Sequence, residues 1–226
     1  MTSPEQKIIV ALDLPDRAAI LALARRLCGE VGMVKVGLEA FVAHGPDLVR
    51  ALADMGHKIF LDLKIHDIPR TAAAAVRQAS ALNVQMLTVH ASGGAEMLRA
   101  ACEASSAQIV AVTMLTSLDD AAARATGFAQ GVAQTAYTMG ALARQSGVAG
   151  LVCSAHELPQ LSALGGSRVV PGVRADNAAA DDQKRTATAA HAVQQGATWV
   201  VIGRPILQAP DPVVAVRQIA AGLHGR

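Results

Sequence analysis

The run Asp62-Leu63-Lys64-Ile65-His66-Asp67-Ile68-Pro69 sets a carboxylate and an ammonium two residues apart at the end of an apolar stretch. In a β-strand, residues i and i+2 share a face. Leu61 and Leu63 then point the other way, and Asp62 and Lys64 face the interior that the strand helps to enclose. Two more charges interrupt apolar runs in the same manner. Lys35 breaks Met33-Val34-Lys35-Val36-Gly37, and Asp13 closes Val10-Ala11-Leu12-Asp13. Burying unpaired charge is costly, so these groups must pair with one another or with a ligand. Alternating carboxylates and ammoniums can keep a lysine charged and fixed in place. Such a lysine could serve as a preorganised cation or a proton donor. The plain alternative is an ion pair that plugs the end of the fold.

A second constellation lies near the C-terminus. One apolar run ends Pro171-Gly172-Val173-Arg174, and another ends Ile202-Gly203-Arg204-Pro205. Glycine lets backbone N–H groups approach an anion, and arginine offers a forked donor that suits phosphate. A lone Gly-Arg pair could merely cap a strand. Beside Pro171–Arg174 it reads as part of a phosphate site.

The elements that must position these residues recur regularly. Short apolar runs at Ile8–Asp13, Met33–Gly37, Lys58–Ile65, Met86–His90, Ile109–Leu115, Gly150–Ser154, Arg168–Gly172 and Trp199–Gly203 read as strands buried on both faces. Amphipathic, Ala-rich segments lie between them, at Arg17–Glu30, Asp47–Met55, Arg70–Ala81, Gly94–Ser105, Thr135–Ser146, Asp182–Gln195 and Pro212–Leu223. The alternation predicts an α/β fold, a (β/α)8 TIM barrel, as a single domain over 1–226. An open doubly wound sheet would have fewer strands, and no GxGxxG follows the first one. In a barrel the strand C-termini form the functional face, and phosphate sites follow strands seven and eight. Both constellations fall there. Two long connections, Thr116–Gly131 and Val173–Gln183, are expected to be functional.

Bulk composition excludes several classes. The net charge is +2 with no basic run, so neither a nucleic-acid partner nor a membrane surface is expected. Aromatics make up 2% of the chain, which argues against stacking on nucleobases. Cys28, Cys102 and Cys153 are odd in number and form no CxxC pair. No disulfide framework or zinc site is expected, and each cysteine reads as a small core residue. The opening MTSPEQK has no apolar core, and no apolar run reaches ~18 residues. A soluble, cytoplasmic protein is expected. No flavin motif, pyridoxal-type lysine context or metal cluster is visible, so no cofactor and no metal are expected.

The stretch DxKxxDIP at Asp62–Pro69 occurs with ALD at Ala11–Asp13, KVG at Lys35–Gly37, LTS at Leu115–Ser117, PGVR at Pro171–Arg174, DDQKR at Asp181–Arg185 and IGR at Ile202–Arg204. Together, in this order from the first strand to the last, they resemble the orotidine 5'-phosphate decarboxylases of the bacterial type. DxKxxD alone is shared with sister barrels. Ile68-Pro69 and DDQKR point to the orotidine branch.

The resemblance implies cofactor-free conversion of orotidine 5'-phosphate (OMP) to uridine 5'-phosphate (UMP) and CO2, the last step of UMP biosynthesis. It implies a homodimer with shared sites. Lys64 would protonate C6, within a charged network of Asp62, Lys35 and Asp67 of the partner subunit. Asp13 and Lys35 would hold the ribose, with Thr71 of the partner subunit nearby. Thr116 would meet the ring edge, and Ile68 and Pro171 would line the ring pocket. Gln183, Gly203 and Arg204 would grip the phosphate, with Arg174 close by. Asp67 lies an odd number of residues from Lys64, off the inward face, which suits a reach across an interface. His66 and His90 match no family role and read as packing or local hydrogen bonding. Two other readings stay open. One is a Mg2+-dependent sister lyase of the 3-keto-gulonate-phosphate decarboxylase or hexulose-phosphate synthase type. The other is a non-catalytic phosphate-binding barrel.

Overall fold

A computed structural model describes residues 3–173 and 187–223. Eight parallel strands close a barrel in chain order: β1 (Ile8–Ala11), β2 (Met33–Gly37), β3 (Ile59–Ile65), β4 (Met86–His90), β5 (Gln108–Val112), β6 (Gly150–Val152), β7 (Ser167–Val170) and β8 (Trp199–Ile202). Ile8 of β1 lies opposite Val200 of β8 and completes the ring. The fold is a (β/α)8 TIM barrel.

Strand alternation sorts the apolar residues into two cores. Ile9, Ala11, Met33, Phe60, Met86, Val110, Val112, Val152, Val169 and Val201 fill the barrel. Their neighbours Ile8, Val10, Val34, Val36, Ile59, Leu61, Leu87 and Val89 pack outward with the helices. Every residue of β1 and β2 is buried, as a parallel sheet covered on both faces requires.

The helices are α1 (Arg17–Leu27), α2 (Leu38–Asp54), α3 (Pro69–Ser80), α4 (Gly94–Glu103), α5 (Asp120–Ala125), α6 (Val132–Gln145), α7 (Leu158–Leu161), α8 (Ala189–Gln194), α9 (Arg204–Leu207) and α10 (Pro212–Gly222). Carboxylate caps begin several of them. Asp16 accepts from Ala19 N–H at 2.8 Å, and Asp211 accepts from Val213 N–H at 2.9 Å. Pro69 fixes the first turn of α3, directly after the last residue of the Asp62–Pro69 motif to face solvent, Ile68.

Three expectations need correction. The helix expected over Asp47–Met55 starts earlier, at Leu38, because Gly45-Pro46 breaks it without ending it; Gly45 takes φ 62 there. The connection Thr116–Gly131 contains α5, capped by Asp119 through Ala122 N–H. Only Cys153 is buried. Cys28 is exposed, its thiol donating to the Met55 carbonyl at 3.4 Å, and Cys102 is half-buried. No helix among the described residues is long and apolar enough to cross a membrane.

Candidate active site

The inward columns of the first strands continue upward from the apolar filling into charge. On β1 the column runs Ile9, Ala11, Asp13; on β2, Met33, Lys35; on β3, Phe60, Asp62. The four charges touch in a line. Lys35 Nζ lies 3.1 Å from Asp13 Oδ1 and 3.7 Å from Asp62 Oδ2, and Lys64 Nζ lies 2.8 Å from the same Asp62 oxygen. Each positive group therefore has a negative neighbour, which offsets the cost of burial. The middle of the line is closed and the ends are open. The side chains of Lys35 and Asp62 are 10% and 12% exposed, against 41% for Asp13 and 36% for Lys64. A substrate can thus meet a carboxylate at one end and an ammonium at the other.

Lys64 does not reach this position by plain alternation. β3 and β4 pair in register at Phe60↔Met86 and Leu61↔Leu87, then resume at Ile65↔Val89. Three residues of β3 therefore stand against Thr88 alone. Lys64 absorbs the bulge with φ 52, a left-handed backbone that costs a non-glycine residue roughly 1–3 kcal/mol. Such outliers persist where the surroundings over-determine them. Here the Lys64 N–H donates to Thr88 Oγ1 at 2.8 Å.

Gly37 has a different task. Its φ of −83 suits any residue, but an added Cβ would lie 2.6 Å from Lys35 Nζ and 2.9 Å from Asp13 Oδ1. The Asp13–Lys35 ion pair occupies the space a side chain would take. Sequence reasoning gave neither Thr88 nor Gly37 a role of its own. Thr88 did carry a signal: it is a polar residue in an inward column of β4, the same interruption that drew attention to Lys35.

The other candidate residues lie around this mouth. Asp67 is exposed, its Oδ1 accepting from Ile68 N–H at 2.7 Å. Among the described residues it forms no ion pair, so the Lys64 cluster of its own chain does not include it. Ile68 is 62% exposed, and Thr71 is half-buried in the first turn of α3. Thr116 is half-buried beyond β5, and Pro171 continues the inward column of β7 after Val169. Gly203 follows β8, and an added Cβ would meet Ala11 inside the mouth at 3.6 Å. Arg204 opens α9 and is exposed. Arg174 and Gln183 lie outside the described residues.

The histidines sit closer to the array than expected. Their rings are 5.4 Å apart and tilted by 33°. His90 ends the inward column of β4. Burial first, then the charges of His66 and Lys64, hold its imidazole below the ordinary range, with Asp62 opposing. Among the described residues no group of three or more His, Cys, Asp or Glu side chains could hold a metal ion.

Comparison with known proteins gives the chain its context. The family described as orotidine 5'-phosphate decarboxylase / HUMPS matches residues 6–219. An orotidine 5'-phosphate decarboxylase of Anaeromyxobacter sp. (strain K) is 49% identical over 225 residues, covering 97% of this chain and 99% of its own. One from Opitutus terrae is 44% identical over 224 residues, covering 96% and 97%. The crystal structure of orotidine 5'-phosphate decarboxylase from Lactobacillus acidophilus superposes with a TM-score of 0.86 at 33% identity, over 96% of this chain and 99% of that one.

Proposed function

The chain belongs to the orotidine 5'-phosphate decarboxylase / HUMPS family, and on that premise we propose that the Asp13–Lys35–Asp62–Lys64 array is the site of its chemistry. The protein decarboxylates OMP to UMP and CO2 in pyrimidine biosynthesis. The Mg2+-dependent sister lyase is not favoured, because the full-length relatives carry the decarboxylase name.

The observation that carries the site assignment is the Lys64 ammonium, held 2.8 Å from Asp62 at the open end of the array. Loss of CO2 breaks the bond from C6 and leaves its electron pair on that carbon, in the plane of the ring. Lys64 beside C6 stabilises that charge as it develops, and this lowers the transition state more than the ground state. The Lys64 N–H bond then breaks, the proton joins C6, and solvent returns a proton to the amine. Asp62 would face the departing carboxylate. Asp13 and Lys35, at the other end of the line, would bind the ribose hydroxyls.

Thr116 would address the ring edge, and Ile68 and Pro171 the ring faces. Arg204, the Gly203 backbone, Gln183 and Arg174 would hold the phosphate. Phosphate binding is remote from C6, and its energy can order the mouth and exclude water. Asp67 of the partner subunit would complete the charged line, with Thr71 of the partner subunit near the ribose. A homodimer is proposed because Leu38, Val42 and Ile68, on the rim segments after β2 and β3, are 55%, 77% and 62% exposed. A cytoplasmic location fits the pathway.

The test is the fall in OMP absorbance, with UMP as product, after exhaustive EDTA treatment and dialysis. Full activity is expected. A loss that Mg2+ restores would favour the sister lyase.

A further inference from the structure

Thr88 touches both charged groups that matter most, yet it lies below the open mouth. It is fully buried on the inward face of β4, between Met86 and His90. Its hydroxyl accepts the Lys64 N–H at 2.8 Å and donates to Asp62 Oδ1 at 2.9 Å. The roles are unambiguous. A backbone N–H can only donate and an ionised carboxylate can only accept, so the single O–H of threonine goes to Asp62.

We propose that Thr88 is a positioning residue for the decarboxylation, one hydroxyl setting the Asp62 carboxylate and the Lys64 main chain together. This rests on the reading of the array as the OMP site. The bulge leaves Lys64 N–H without its ladder position, and Thr88 takes that donor over and so pins the left-handed Lys64 backbone. The same hydroxyl occupies Asp62 Oδ1. Oδ2 is left to face both ammoniums, Lys64 at 2.8 Å and Lys35 at 3.7 Å. Asp62 is thereby fixed in rotation, and with it the direction in which Lys64 Nζ is held. Without the hydroxyl, two buried polar groups lose their partner, and the lysine that carries the proton is free to swing. A misplacement of about 1 Å can cost about a hundredfold in rate without loss of binding.

The test compares Thr88→Val, Thr88→Ala and Thr88→Ser with wild type in steady-state OMP turnover, with UMP affinity and circular dichroism measured on each. Valine keeps the shape and removes the oxygen; serine keeps the oxygen. Valine and alanine should lower kcat by about tenfold to a hundredfold. KM and UMP affinity should stay within about threefold, and serine should restore most of kcat. If the valine variant does not fold, the alanine–serine pair carries the comparison. A kcat in folded Val or Ala variants within twofold of wild type overturns the proposal, as does a loss confined to KM, or serine as impaired as alanine. In each of those cases OMP turnover by wild type leaves the functional reading standing. A wild type that leaves OMP untouched removes the proposal together with its premise.

Discussion

Going up the inward columns of β1–β4, apolar filling gives way to Asp13, Lys35, Asp62, Lys64, Thr88 and His90. Going up those of β5–β8, it gives way to uncharged residues: Val112 leads to Met114 and Thr116, Val152 to Ser154, Val169 to Pro171 and Val201 to Gly203. The fold repeats one unit eight times, but its mouth is divided. One half supplies a fixed line of charge, and the other, on the proposed reading, would supply shape and a place for phosphate. A field acts only if its charges are held, so the charged half carries the construction: the ion-pair line, the bulge at Lys64 and the space kept clear by Gly37. The uncharged half needs only room and a forked donor at its rim. The division suits a substrate that develops negative charge at one carbon and carries its phosphate far from it.

The division can be broken at several points. The largest effect is expected where the charged half is proposed to draw on a second copy. Lys64→Ala and Asp67→Ala should each be nearly inactive as homodimers. Co-expressed, they should form mixed dimers in half of all pairings, each with one intact site. Turnover per site should then recover to about a quarter of wild type, with size exclusion confirming the dimer. No recovery despite proven mixing would assign Asp67 to its own chain.

Arg204→Ala tests the other half. It should cost about 2–5 kcal/mol in kcat/KM for OMP, read from steady-state rates. Orotidine, which lacks the phosphate, should be nearly indifferent. An equal loss on both substrates would remove Arg204 from the phosphate site.

Gly37→Ala puts a methyl where the Asp13–Lys35 pair now lies. kcat/KM should fall by roughly tenfold to a hundredfold with the melting temperature little changed, since only the ends of the Lys35 and Asp13 side chains must move. Unchanged kinetics would show that Lys35 tolerates displacement.

The smallest effect concerns stability. His90 stays neutral in the folded chain at a pH where the unfolded chain binds a proton, because burial holds its imidazole low. Folded stability therefore falls as pH drops through about 6.5. His90→Asn should show a shallower fall in Tm between about pH 7.5 and 5.5. An identical slope would show that the shift is too small to matter.

Much of this was legible in the sequence. Eight apolar runs with charges at their ends suffice for the barrel and for Asp13, Lys35, Asp62 and Lys64, because burial of charge is expensive and strand period is rigid. Period alone did not reveal the bulge. Two inserted residues look like continued alternation until the β4 register is known. Thr88 and Gly37 escaped for a related reason. A threonine inside a strand and a glycine at the end of one are ordinary by type, and their roles appear only from the side chains that neighbouring strands bring against them. The first half of α2 was hidden by Gly45-Pro46, which reads as a stop but acts as a kink. His90 was read as bland because its neighbours, Lys64 and His66, come from another strand end.

The central claim, that the ammonium at the open end of the array performs the chemistry, is tested most directly by the single-turnover rate of Lys64→Ala at saturating OMP. UMP affinity and circular dichroism on the same sample establish that the variant is folded and binds. The rate should fall by at least about 10^4-fold, the combined weight of a lost proton donor and a lost counter-charge, while UMP still binds. A folded, UMP-binding Lys64→Ala protein that decarboxylates OMP at a rate near wild type would contradict it.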